Sequence, residues 1–184
     1  MTPLNGTRQL GPDDGRLLLK TSRTGLGRKA GHDLTIEVSR WAADLVLDPG
    51  NPARSEVAVR IDVGSLRVLE GTGGLKPLTD GDRAEIEKTI KEKILRPADH
   101  PVITFSSQQI TGTPASFGIT GDLSIMGRTH PVQVQAAIAG GRIQGNATVT
   151  QTAWGIKPYS AFAGALRLAD DVRVEFDLAA PAGQ

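Results

Sequence analysis

Leu34, Ile36 and Val38 alternate with Asp33, Thr35 and Glu37 in the stretch HDLTIEV, and this two-residue rhythm returns along most of the chain. SEVAVRIDV aligns Val57, Val59, Ile61 and Val63. SFGITGDLSI aligns Phe117, Ile119, Leu123 and Ile125, and PVQVQAAI aligns Val132, Val134, Ala136 and Ile138. DVRVEFDL does the same with Val172, Val174, Phe176 and Leu178. A period of two means strands with one buried and one wet face. Parallel strands covered on both sides would give unbroken apolar runs, so the sheet is expected to be antiparallel.

One segment changes period. TDGDRAEIEKTIKEKIL carries Ile86, Ile90 and Ile94 four residues apart with Leu95 beside the last. Thr79 with Asp82 three residues on predicts a helix cap, and Pro97 ends the run. The pairs Glu87/Lys91 and Glu85/Lys88 are expected on a solvated face. One helix cannot cover both faces of about eight strands, so the economical architecture is a sheet closed on itself, with a β-sandwich as the alternative. The fold class expected is therefore all-β, an extended antiparallel barrel with one inserted amphipathic α-helix.

A chain of 184 residues fits one domain. Residues 1–14 read as a polar, mobile leader and residues 15–180 as the single barrel domain. The 21 basic and 20 acidic residues nearly cancel, and no basic run exceeds two residues, so no nucleic-acid partner is expected. The absence of Cys excludes disulfides and thiolate chemistry. The N-terminus lacks the charged-then-apolar pattern of a signal peptide, and no apolar run approaches the roughly 20 residues of a membrane-spanning helix. A cytoplasmic protein without an integral membrane segment is the resulting expectation. The 22 glycines and the low aromatic content suit many tight turns.

Candidate chemistry is sparse. GLGRKAG (Gly25–Gly31) has glycine spacing suggestive of a phosphate loop, but a strand follows where phosphate binding needs a helix N-terminus. GTGGLKP (Gly71–Pro77) lacks that context too, and both are read as turns or loops. His32, His100 and His130 are the chain's histidines, and three imidazoles could hold zinc with an open fourth position. His100 and His130 each precede proline, which favours extended backbone, so both are expected to be strand-entry residues near a rim. WGIKPYSAFAG gathers Trp154, Tyr159 and Phe162 in neither a clean strand nor a helix, as a cap or lid over an opening would.

Three stretches in order, HPVITFSSQQI, FGITGDLSIMGRTHPVQV and WGIKPYSAFAGALRLADDVRVEFDL, resemble the YceI-like family. The matching positions are Pro101, Ile103, Phe105 and Ser107; then Gly121, Asp122, Leu123, Ile125, Gly127, Thr129, Pro131 and Val132; then Gly155 and Ile156. The resemblance spans roughly residues 15 to 180. It implies a lipocalin-like extended barrel that binds an isoprenoid or other long-chain amphiphile in an apolar pore. Within GRTHP, Gly127 is expected to allow a hairpin turn, Thr129 to bond local backbone and Pro131 to begin the next strand.

The function expected is non-enzymatic carriage of a long-chain isoprenoid or fatty amphiphile, with no other cofactor and with a homodimer possible. The lining positions expected are Leu34, Ile36, Val57, Val59, Ile61, Phe105, Phe117, Ile119, Leu123, Ile125, Val134, Val174 and Phe176. Small inward residues, Ala136, Ala147, Gly121 and Gly145, are expected to leave the lumen roomy, and an anionic head group would meet Arg23, Arg28 or Lys29. The alternative is a barrel hydrolase or isomerase using the rim histidines, with zinc.

Overall fold

The computed structural model describes residues 6–48, 50–164 and 166–181. Its strands are β1 (Gly6–Leu10), β2 (Gly15–Lys20), β3 (Arg23–Thr24), β4 (Asp33–Val38), β5 (Trp41–Leu47), β6 (Glu56–Asp62) and β7 (Leu66–Thr72). Helix α1 (Asp80–Thr89) follows and ends in a wider π-helical turn, Ile90–Ile94. The chain then runs through β8 (Val102–Thr113), β9 (Ser116–Ile125), β10 (Arg128–Ala139), β11 (Arg142–Thr150), β12 (Ser160–Ala161), β13 (Leu166–Leu168) and β14 (Asp171–Ala179).

Eleven of these strands form one antiparallel sheet in the order β1-β5-β6-β8-β9-β10-β11-β14-β2-β4-β7, curled into a half-barrel, and β12, β13 and β3 form a small ribbon beside it. Cross-strand register carries the alternation seen in the sequence around the curve. Ile36 faces Leu19, Leu19 faces Val174, Val174 faces Ala147, Ala147 faces Val134, and Val134 faces Ile119.

Three expectations about the sheet are corrected. It has more strands than the expected eight or so. It is also not closed by backbone pairing, because β1 and β7 are edges among the described residues. At the β7 edge a side chain takes the place of a neighbouring strand: the Val68 amide donates to Glu87 Oε1 on α1 at 2.8 Å. Glu87 is therefore not on a solvated face; it docks the helix. Part of the expected leader is ordered as well, since β1 pairs with β5 along its whole length. That pairing is mostly backbone, and of the described β1 side chains only Leu10 is buried, so the segment carries little hydrophobic signal. Residues 1–5 lie outside the described part.

Two local predictions hold in detail. Thr79 caps α1, its Oγ1 accepting from the Asp82 amide at 3.1 Å while its own amide donates to Asp82 Oδ2 at 2.8 Å. Met126 and Gly127 make the hairpin turn, both with positive φ (51° and 76°), as a two-residue turn of the strand-matching hand requires. Two others shift. Thr129 Oγ1 bonds Ser124 Oγ across the hairpin at 2.6 Å, not local backbone. β10 begins at Arg128, so Pro131 lies inside the strand; it sits before the part paired with β11, where a missing N–H leaves no ladder bond unmade.

One corner is knitted by Ser65. Its carbonyl accepts from Ser39 Oγ at 2.8 Å, and its Oγ accepts from the Arg40 amide at 3.0 Å. These bonds fix the sharp passage from β4 to β5, which carries the chain from one side of the curled sheet to the other.

A two-chambered apolar cavity

Inside the curl the side chains do not meet. An inner chamber of about 240 Å³ is walled entirely by apolar residues, from all eleven strands of the large sheet and from Leu95, among them Leu17, Trp41, Val59, Phe117, Val134 and Leu178. An outer chamber of about 360 Å³ lies under the helix, walled by Ile86, Ile90 and Ile94 on one side and Leu34, Ile36, Val172 and Ile156 on the other. Leu19, Leu66, Leu95, Ile103, Val149 and Val174 border both, so the chambers adjoin through a shared collar. Together they fall within the 300–1,000 Å³ of ordinary small-molecule sites.

Nine expected lining residues stand on the inner chamber: Val57, Val59, Ile61, Phe105, Phe117, Ile119, Leu123, Val134 and Phe176. Leu34 and Ile36 stand on the outer one, and Val174 on the collar. Ile125 departs from the expectation. It is buried in a packed cluster with Trp154, Val132 and Ile156 that adjoins the chambers, and Ile125 itself lines neither. The segment from Gln151 to Ile156 folds back over that end of the sheet and fills it. There Trp154 Nε1 donates to the Leu123 carbonyl at 2.9 Å, and the His130 ring meets the indole edge-on at 5.3 Å.

Sequence reasoning missed several lining residues. Trp41, Ala43, Leu45 and Leu47 follow the same period-two signal in WAADLVL and were legible from it. The leucines of GRLLLK form a run without alternation, and Leu10 lies in the expected leader, so neither gave a face. The apolar stripe of α1 was visible, but not that it would roof a cavity.

The small inward residues act differently from expectation at two places. A Cβ on Gly121 would strike the Phe105 ring, and one on Gly145 would strike the Phe176 ring. Each phenylalanine thus lies flat across a glycine on the next strand. The glycines keep the rings against the wall, and the hollow exists partly because of that.

Polar groups gather only around the outer chamber. Arg23 is committed there, donating to Asp33, to the Arg28 carbonyl at 2.8 Å and to the Gly31 carbonyl at 2.7 Å. It staples the glycine-rich turn and is spoken for as an anion ligand; Arg28 and Lys29 are exposed. His32 Nε2 lies 2.7 Å from the Lys76 carbonyl, and Tyr159 is half-exposed at the opening. Among the described residues no group of three His, Asp or Glu side chains is arranged to hold a metal ion. The Phe162 side chain lies outside the described residues. Three carboxyls are held below their usual range: Asp62 chiefly by the Arg40 guanidinium, Asp82 by the Thr79 amide, and Asp177 by Arg142. All three serve the scaffold, and none lines either chamber.

Comparison with known proteins agrees with this geometry. A family model for the YceI-like domain matches residues 19–180. The crystal structure of BcnA from Burkholderia cenocepacia superposes with a TM-score of 0.67 at 18% identity, covering 91% of this chain and 96% of that one. The Campylobacter jejuni YCEI protein gives 0.61 at 14% identity, covering 81% and 85%. No curated protein is significantly similar in sequence. No helix among the described residues is long and apolar enough to cross a membrane.

Proposed function

The chain belongs to the YceI-like family, and from that premise we propose that it is a non-enzymatic carrier of a long-chain isoprenoid or similar amphiphile. The observation that carries this reading is the adjoining pair of chambers, apolar throughout within and polar only around the outer one. Burial of each methylene is worth about 0.8 kcal/mol, so a chain threaded through the collar binds with few directed contacts. Burial is non-directional, which makes selectivity for the chain itself loose. The helix supplies one side of the outer wall and is tied to the β7 edge by the Glu87–Val68 bond, so the roof is the natural place for a chain to enter. An anionic head group would sit outside, near Arg28 and Lys29.

A displacement titration with a fluorescent long-chain fatty probe tests the proposal. Ala136 lines the inner chamber, and Ala136→Phe places a ring in the hollow. The wild type is expected to bind about one probe per chain and the variant far less, with both unfolding in one cooperative step. Equal binding by the two proteins would overturn it.

A further inference from the structure

Three of the large apolar side chains exposed among the described residues stand on segments that border one opening. Leu26 is fully exposed in the turn after β3, and Leu75 is 80% exposed in the loop between β7 and α1. Tyr159, 43% exposed, precedes β12 on the lining of the outer chamber. Hydrogen bonds and close packing hold the three segments together. Arg23 bonds the Arg28 and Gly31 carbonyls of the first, and a Cβ on Gly73 in the second would strike its guanidinium. His32 Nε2 lies 2.7 Å from the Lys76 carbonyl, and a Cβ on Gly74 would strike the His32 ring. β13 pairs with β3, while its Leu168 amide donates to the Tyr159 carbonyl at 3.0 Å. Arg23, Gly31 and His32 line the outer chamber themselves, and the second segment runs straight into α1, its roof. The clasp and the mouth are one structure.

The same segments carry charge of one sign. Residues 24–32, 71–78 and 155–160 hold Arg28, Lys29, Lys76 and Lys157 and no Asp or Glu, in a chain whose charges otherwise nearly cancel. All four cations are exposed. The acids beside these segments are engaged: Asp33 pairs with Arg23, Asp80 with Arg83, and Asp82 holds the Thr79 cap. Glu85 on α1 is the one carboxylate on the lining of the outer chamber.

We propose that this rim is a docking surface for an anionic lipid bilayer. Leu26, Leu75 and Tyr159 enter the headgroup layer, and the four cations meet the lipid phosphates. Gathered apolar tips mark an interaction site where single ones do not. Tyrosine suits the boundary between apolar and wet phases, and Lys and Arg are drawn to an anionic leaflet. A bilayer is favoured as the occupant because the opening behind the rim leads to an apolar cavity. Docked there, a chain could pass between two apolar phases with little exposure to water. That use rests on the carrier reading; the docking itself does not.

Flotation of the full chain with lipid vesicles tests it. The protein is expected to float with vesicles of equal parts phosphatidylcholine and phosphatidylglycerol, and far less with phosphatidylcholine alone or in about 0.5 M salt. Leu26→Ser combined with Leu75→Ser is expected to lower vesicle partitioning about 10-fold or more. Neither leucine lines a chamber, so the double variant should bind the fluorescent fatty probe in solution as the wild type does, which also shows that it is folded. A wild type that does not float, flotation indifferent to phosphatidylglycerol, or a double variant that floats equally well would each overturn the docking surface. None of these results touches the carrier reading, which the titration in solution tests separately.

Discussion

The two tryptophans mark two regions of one curled sheet that solve the same problem in opposite ways. Around Trp154 the end of the inner face of β9 and β10 is covered by the chain itself: the indole, Ile156 and Met126 pack in one cluster with Ile125, which Leu123 and Val132 border from the chamber's edge, and the indole N–H finds a carbonyl. Around Trp41 the same kind of inner face, with the same alternation, meets empty space, and the buried indole nitrogen has no hydrogen-bond partner among the described residues. Strand chemistry does not separate the two regions. What separates them is whether a following segment turns back to fill the concavity, as residues 151–156 do at one end. A hollow is thus the default state of this sheet, and packing is what has to be added.

The sharpest way to break that contrast is to truncate an isoleucine in each region. Ile125→Ala in the packed cluster opens a new cavity and is expected to cost about 2–5 kcal/mol. Ile61→Ala, on the hollow's wall, enlarges space already present and should cost clearly less in ligand-free protein. Urea unfolding of both variants checks this, and equal losses would mean the hollow is in fact filled.

Glu87→Ala probes the roof. It strands the Val68 amide, bonded to Glu87 at 2.8 Å, and is expected to cost about 1–3 kcal/mol. Hydrogen exchange at Val68 should quicken, while amides around Trp154 stay protected.

Gly145→Ala probes the wall. The added methyl displaces the Phe176 ring and presses on the Gln135 carbonyl, an overpacking expected to cost about 1–3 kcal/mol. Phe176 lines the inner chamber, so a ring pushed into that space should lower probe binding as well, which Ile125→Ala should not produce.

The smallest effect is electrostatic. Asp62 titrates below its ordinary value of 3.8, chiefly through the Arg40 guanidinium 2.9 Å away. A depressed carboxyl contributes stability that is fully present above that ordinary value and fades as pH falls through the lowered one. The pair is largely exposed, so the gain is modest. Arg40→Ala should flatten the acid limb of the stability curve measured by thermal melting between pH 2 and 5.

How much of this was legible in the sequence follows the range of the interactions. The alternation of Val57, Val59 and Ile61, or of Ile119 and Leu123, names the inner face because side-chain direction along a strand is a local property. The Thr79–Asp82 cap and the turn at Gly127 are local too. Ile125 obeys the same alternation as Leu123 yet leaves the cavity, because what covers it comes from residues some thirty positions on. Glu87 reads as a surface charge because its partner is a backbone amide on β7, unpaired only because β7 is an edge. Gly121 and Gly145 read as empty volume, and only the cross-strand register shows that each underlies a phenylalanine ring.

The central claim is that the hollow around Trp41 holds a long-chain guest, and the most direct measurement is mass spectrometry of organic extracts of the purified protein, read with its thermal stability before and after extraction. A filled hollow predicts about one long-chain amphiphile per chain and a melting temperature that falls on its removal and returns when it is restored. Extracts without any amphiphile, from a protein whose melting temperature extraction leaves unchanged, would contradict the account.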